Sequence, residues 1–174
     1  MLCALGSLAS QQATLTQKPM KKVKQFLDYK SSNPVVVLIY KANNMVIAVH
    51  SDASYLSETK LRRRAGGHFF CSANEIYPEN NGAILTVSQI IKAVMTSAAE
   101  AELGALYIYA RETAPQQTLL EEMGHPQPPT PIQINDTTAL GFFKHTIQPK
   151  RTKAMDMRFH WLRCRKNQKQ FRKY

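Results

Sequence analysis

Asp52, Glu102 and the adjacent pair Asn135-Asp136 carry the side chains in this sequence best suited to hold hard divalent cations. Each falls beside a different predicted element. Asp52 follows a β-branched run, Glu102 lies in a helix-forming stretch, and Asn135-Asp136 follows a second short apolar run. Carboxylates brought from separate elements to converging strand ends suit a pair of cations about 4 Å apart, whose mutual repulsion must be offset by several anionic oxygens. Magnesium fits such a place, because it takes few carboxylates, keeps several waters and tolerates a partly open cleft. The chemistry this points to is metal-assisted phosphoryl transfer. Other catalytic patterns are absent from the sequence. There is no Gly-x-Ser-x-Gly and no glycine-rich phosphate loop, so no small-molecule cofactor is expected, and Ser51-Asp52 has no triad context. The five histidines lack HExxH or HxxxH spacing, so a dedicated zinc site is not indicated.

The elements that must position these groups can be read from periodicity. Ser97 followed three residues later by Glu100 is a capping box, which predicts a helix opening with Ser97 as N-cap. Leu103, Leu106, Tyr107 and Ala110 form its apolar face, with Glu102 at the rim on the side of Leu106 and Tyr109. Periodicity alone leaves open whether Glu100 or Glu102 is the functional carboxylate. Before this helix, Val35–Tyr40 and Met45–Val49 are β-branched runs around Asn43-Asn44 and predict a hairpin whose second strand ends at His50–Ser54. Lys60–Arg64 is expected as a basic loop, Gly66–Ser72 as a strand, Asn80-Asn81-Gly82 as a turn, and Ala83–Val87 as the next strand. After the helix, Pro115 predicts a break, with a second helical segment closing at Gly124. A proline-rich connector leads to a short strand at Ile132–Ile134, then a short helix at Thr137–His145. Arg151–Asn167 predicts a longer helix with Met155, Phe159 and Leu162 inward, and Gln170–Tyr174 begins another strand. At the other end, Thr16–Ser31 predicts a helix with Val23, Phe26 and Leu27 on one side. The order implies an α/β fold with an antiparallel part and a later strand joined across helices.

Composition bounds the partners. A chain of 174 residues with 44% hydrophobic content can bury a substantial core. The net charge is +11, and it is concentrated: residues 150–174 hold ten Lys or Arg against Asp156 alone, a local +9 that leaves +2 for the rest. That asymmetry favours a polyanion, nucleic acid before membrane, since no Leu/Trp-rich amphipathic anchor accompanies it. Lys150, Arg151, Lys153, Arg163 and Arg165 are the candidate contacts. Cys3, Cys71 and Cys164 are scattered and odd in number, so they are expected as reduced thiols of an intracellular protein, nuclear or cytoplasmic. No signal peptide and no apolar run of transmembrane length is expected.

Four motifs add a resemblance: Ser51-Asp52-Ala53-Ser54-Tyr55, Ser97-Ala98-Ala99-Glu100-Ala101-Glu102-Leu103, Thr130-Pro131-Ile132-Gln133-Ile134-Asn135-Asp136 and Lys150-Arg151-Thr152-Lys153-Ala154-Met155-Asp156-Met157-Arg158-Phe159-His160. In this order and spacing the chain resembles the end of the Pol polyprotein of copia-type LTR retrotransposons, where reverse transcriptase runs into ribonuclease H. The resemblance extends from Ala4 to the last residue. It implies a ribonuclease-H-like mixed sheet with flanking helices at 34–174, preceded at 1–33 by a helical leader from the reverse transcriptase end. It implies an ancestral hydrolysis of RNA in RNA–DNA hybrids with two magnesium ions, expected to be weakened or lost here, and a hybrid or duplex as partner; the alternative is a non-catalytic nucleic-acid-binding remnant of such a polyprotein. Asp52 matches the family's first metal-binding Asp, and Glu102 its helical Glu, which leaves Glu100 as a capping residue. Asp156 and His160 fall on a basic segment that is expected to be structural. Two departures stand out. The family has Asp-Asn where this chain has Asn135-Asp136, so Asn135 takes the third ligand position and Asp136 the one after. The family also continues with a strand and helix bearing a fourth acidic residue, expected here to be truncated.

Overall fold

The strand β1 (Val46–Glu58) organises the sheet. Its Ile47 and Val49 face one side and its Val46 and Ala48 the other, all at most 3% exposed, so both faces of its first half are buried. On one edge it pairs antiparallel with β2 (Arg62–Ser72), which pairs antiparallel with β3 (Ala83–Ile91). On the other edge it pairs parallel with β4 (Thr130–Gln133), which pairs parallel with β5 (Phe171–Lys173). The result is a mixed five-stranded sheet in the order β3-β2-β1-β4-β5. The computed structural model describes residues 2–13, 16–58, 62–93, 97–134, 141 and 153–174.

Two helices supply the cover. α3 (Ala98–Glu122) packs on β1 and β2, and α4 (Lys153–Asn167) packs on α3 and β5. Leu103, Leu106, Tyr109 and Ala110 of α3 join Phe159 and Leu162 of α4 over Ile47, Val49, Phe69 and Ile132 in one core. Ser97 caps α3 as expected, its side chain accepting the Glu100 N–H at 3.2 Å. At the far end Gly124 adopts φ +88, and the N–H groups of Gly124 and His125 return to the carbonyls of Glu121 and Leu120. This is the left-handed closure that glycine permits. Pro115 does not break the helix. It lies on the exposed face, where water can reach the carbonyl its missing N–H leaves without a donor.

The expected hairpin is not formed. Residues 33–45 make no ladder, and the Val35–Tyr40 side chains are 59–79% exposed. The partners of β1 are instead β2 and β4. β1 is also longer than its apolar pattern predicts, running through the polar residues His50–Ser54 to Glu58. The expected basic loop is likewise a strand where described: Arg63 and Arg64 lie in β2 at 7% and 6% exposure. The Arg64 guanidinium donates to the Ser88 carbonyl and hydroxyl, each at 3.3 Å. The helix expected at Thr137–His145 falls outside the described residues except at Gly141.

By contacts the chain divides into two compact units, Met1–Ile39 and Tyr40–Tyr174. The first contains α1 (Leu2–Ala9) and α2 (Gln17–Ser32), packed on one another. The sheet and its helices form the second.

Candidate active site

Asp52 lies inside β1, paired with Gly66 of β2, and its side chain is exposed. Alternation places it on the face away from α3, in the parity of His50, whereas Ser51 and Ala53 point toward the helix side. It is not at the end of its strand, as the sequence predicts, but it is just past the end of the parallel pairing. The β1–β4 register holds Val49 to Ile132 and His50 to Gln133 and then stops. Beyond that point no described residue pairs with β1 on this flank, and Gly66 opposite Asp52 leaves open space where a side chain would stand.

Glu102 fills part of that flank. It stands in the second turn of α3, half-buried, and its Oε1 accepts the N–H of Ala53 at 3.2 Å. A helix carboxylate is thereby fixed to the backbone residue next to Asp52. The anchoring depends on the height of α3 above the sheet, which a close approach at Gly67 sets. A Cβ built on Gly67 would stand 2.4 Å from Cε1 of Tyr109. Tyr109 is fully buried, its ring edge-on to Phe69 with centroids 5.9 Å apart. Nothing in the sequence marks Gly67 for this role, because the contact needs the register of β2 under α3.

The two carboxylates offer hard oxygen donors, one exposed and one anchored, and magnesium needs only one or two carboxylates from the protein. Among the described residues no group of three or more His, Cys, Asp or Glu gathers as a metal cluster. Asn135 and Asp136 lie outside the described residues. The described pairing of β4 with β1 ends with His50 beside Gln133.

The outer face beside Asp52 carries an aromatic and histidine cluster that the sequence did not single out. The His50 ring lies 4.9 Å from Phe70, 6.0 Å from His68 and 6.0 Å from Tyr174, centroid to centroid. Burial lowers the His50 pKa below its ordinary value, and the charge of the neighbouring His68 lowers it further. The His68 Nε2 lies 3.1 Å from the Asn80 Oδ1 and 3.2 Å from the Asn81 carbonyl. Tyr174 is pushed up to about 12 by burial, against a smaller opposing effect of Arg172.

Of the basic residues, Arg163 and Arg165 lie on α4. Arg163 stacks on the buried Phe159 ring at 4.0 Å, and burial lowers its pKa. Arg165 lies 5.1 Å from the Trp161 ring and donates to the Gln170 Oε1 at 3.2 Å. Lys153 opens α4, while Lys150 and Arg151 lie outside the described residues. No described helix is long and apolar enough to cross a membrane.

The fold is ribonuclease-H-like. The chain superposes on LC11-RNase H1, isolated from compost by a metagenomic approach, with a TM-score of 0.52 at 11% identity, covering 75% of this chain and 83% of that one. A structure of LC11-RNase H1 in complex with RNA/DNA hybrid gives 0.51 at 12% identity, covering 74% and 84%. At these identities the likeness is one of fold. In sequence the chain is distantly similar to a retrovirus-related Pol polyprotein from transposon TNT 1-94 of Nicotiana tabacum, 27% identical over 145 residues. That match takes in 81% of this chain but spans only 10% of the polyprotein's length. No family model matches.

Proposed function

We propose that this chain is the ribonuclease H region of a copia-type LTR retrotransposon Pol polyprotein, binding RNA–DNA hybrids, with strand cleavage strongly attenuated. The observation that carries the reading is the 3.2 Å hydrogen bond from the Ala53 N–H to the Glu102 carboxylate, which fixes a helix carboxylate to the strand backbone one residue from Asp52 on a ribonuclease-H-like sheet. Asp52 and Glu102 would hold magnesium, and the resemblance adds Asn135 and Asp136 to the ligand set. Bound magnesium would supply an activated water and charge stabilisation for the leaving oxygen of the RNA strand. The chain's own part is positional: Glu102 is held by the Ala53 N–H, Asp52 faces solvent, and Gly66 leaves a low floor beside it. Attenuation follows from charge, since Asn135 offers an amide oxygen but no negative charge to offset two divalent ions. Arg163 and Arg165, with Lys150, Arg151 and Lys153, supply phosphate contacts along the same basic segment.

Calorimetric titration with magnesium tests the metal half of this reading directly. The unaltered chain should bind the ion weakly, and Glu102→Gln or Asp52→Asn should abolish the heat while leaving the melting temperature near that of the parent. Binding that survives both substitutions would place the metal elsewhere and end the proposal.

A further inference from the structure

The outer seam between α3 and α4 carries a second constellation away from the two carboxylates. The Arg158 guanidinium lies 5.6 Å from the Tyr107 ring centroid, Tyr107 meets Trp161 edge-to-face at 5.4 Å, and Arg165 lies 5.1 Å from the Trp161 ring. Two adjacent rings are flanked by a cation at each end of the seam, and all four side chains are partly exposed. Tyr107 stands five residues along α3 from Glu102 and about 140° around the helix axis from it, so the row lies on a different side of α3 from that carboxylate. At its far end Arg165 lines a groove of about 460 Å³ that also contains Gln117 and Lys169.

We propose that this seam is a track for single-stranded nucleic acid. A single strand asks for cations spaced along its backbone together with flat side chains on which unpaired bases can stack, and base–aromatic stacking tolerates any sequence. Arginine serves both needs, because its planar guanidinium stacks on a ring and still presents N–H groups to phosphate. Here the guanidinium groups are already placed: Arg165 is held by the Trp161 ring and the Gln170 Oε1, so less side-chain freedom is lost on binding. The groove is lined by Gln117, Thr118, Glu121, Arg165, Gln168 and Gln170. Lys169 at its rim adds a further cation for the backbone. This assignment stands apart from the metal site and does not require that Asp52 or Glu102 bind anything.

Trp161 is the sole tryptophan of the chain, so its fluorescence reports on the seam alone. The experiment titrates the full chain with oligothymidylate and with oligouridylate in EDTA, following tryptophan emission together with the anisotropy of an end-labelled oligonucleotide. Both strands should quench Trp161, with an affinity that falls as salt rises. Replacing Arg158→Gln and Arg165→Gln together should lower the slope of log affinity against log salt by about 1.4, at roughly 0.7 for each phosphate neutralised on a single strand. Arg158→Lys with Arg165→Lys keeps the charges and should keep that slope, which separates a missing charge from a disrupted fold. Binding seen by anisotropy without a change in Trp161 emission would overturn the proposal. So would no binding, or an unaltered slope in the Gln pair. Because no divalent cation is present, none of these outcomes bears on whether Asp52 and Glu102 hold magnesium.

Discussion

Gly67→Ala is the sharpest probe of how the site is held, with Gly66→Ala as its control. A Cβ at position 67 would lie 2.4, 2.7 and 3.0 Å from three carbons of the Tyr109 ring. Carbon atoms rest at about 3.5–4.0 Å, so ring or strand must give by about 1 Å. The ring has little freedom to do so, since Tyr109 is 0% exposed and packs edge-on against Phe69. Overpacking of this kind costs about 1–3 kcal/mol, and the enclosure argues for the upper end. The lower entropy of the unfolded alanine chain returns up to about 1 kcal/mol, leaving a net loss near 2 kcal/mol. For a chain of this size that is a fall of about 4–8 °C in melting temperature. Gly66 is one residue away on the opposite face with nothing within 4 Å of its Cβ position, and Gly66→Ala should stay within about 0.5 kcal/mol of the parent. Thermal and urea melts of both variants measure the difference. In a Tyr109→Leu background the Gly67→Ala penalty should shrink, as expected for residues in direct contact. Equal effects at positions 66 and 67, or an undiminished penalty beside Leu at position 109, would show that α3 does not rest on β2 through this ring.

Three further outcomes follow from the same geometry. Leu106 is 1% exposed at the centre of the α3 face, so Leu106→Ala should cost about 2–5 kcal/mol in a denaturant melt. His50 titrates below its ordinary value in the folded chain, so the folded state binds fewer protons than the unfolded state near and below pH 6.5. The His50 contribution to stability is therefore complete above pH 6.5 and declines as the solution is acidified through the folded pKa. Melts in EDTA over this range should show a decline that is shallower in His50→Gln. For hybrid binding, Arg163→Gln with Arg165→Gln should reduce the salt slope by roughly 0.9 for each phosphate no longer neutralised, measured by anisotropy. Arg64→Gln should leave that slope unchanged and lower the melting temperature instead, because Arg64 is buried against Ser88.

Local chemistry made α3 legible. Its start is written in Ser97 and Glu100, its end in Gly124, and its inner face in Leu103, Leu106 and Ala110. Glu102 could be preferred over Glu100 only through the resemblance, and its hydrogen bond to Ala53 depends on the tertiary seating of α3 over β1. The misread segments have a common cause. Val35–Tyr40 has strong β character, but a strand is decided by the partner it finds and not by its own sequence, and the partners of β1 are β2 and β4. Arg63 and Arg64 look like a surface loop in sequence, yet a long arginine can lie buried in a strand when a neighbour such as Ser88 accepts its hydrogen bonds. Pro115 looks like a stop signal, but the helix tolerates it on a solvent-facing side. The α3–α4 seam was invisible because Tyr107 and Arg158 are distant in sequence and adjacent only after packing.

The central claim is that Asp52 and Glu102 mark a ribonuclease H centre weakened by the order Asn135-Asp136. The most direct measurement is magnesium-dependent cleavage of an end-labelled RNA–DNA hybrid by the unaltered chain and by Asn135→Asp with Asp136→Asn. The unaltered chain should cleave little or not at all. The exchanged pair should gain activity, and adding Asp52→Asn or Glu102→Gln should abolish the gain. Robust cleavage by the unaltered chain, lost in Asp136→Ala and indifferent to Asn135→Ala, would contradict the account and make Asp136 itself the third ligand.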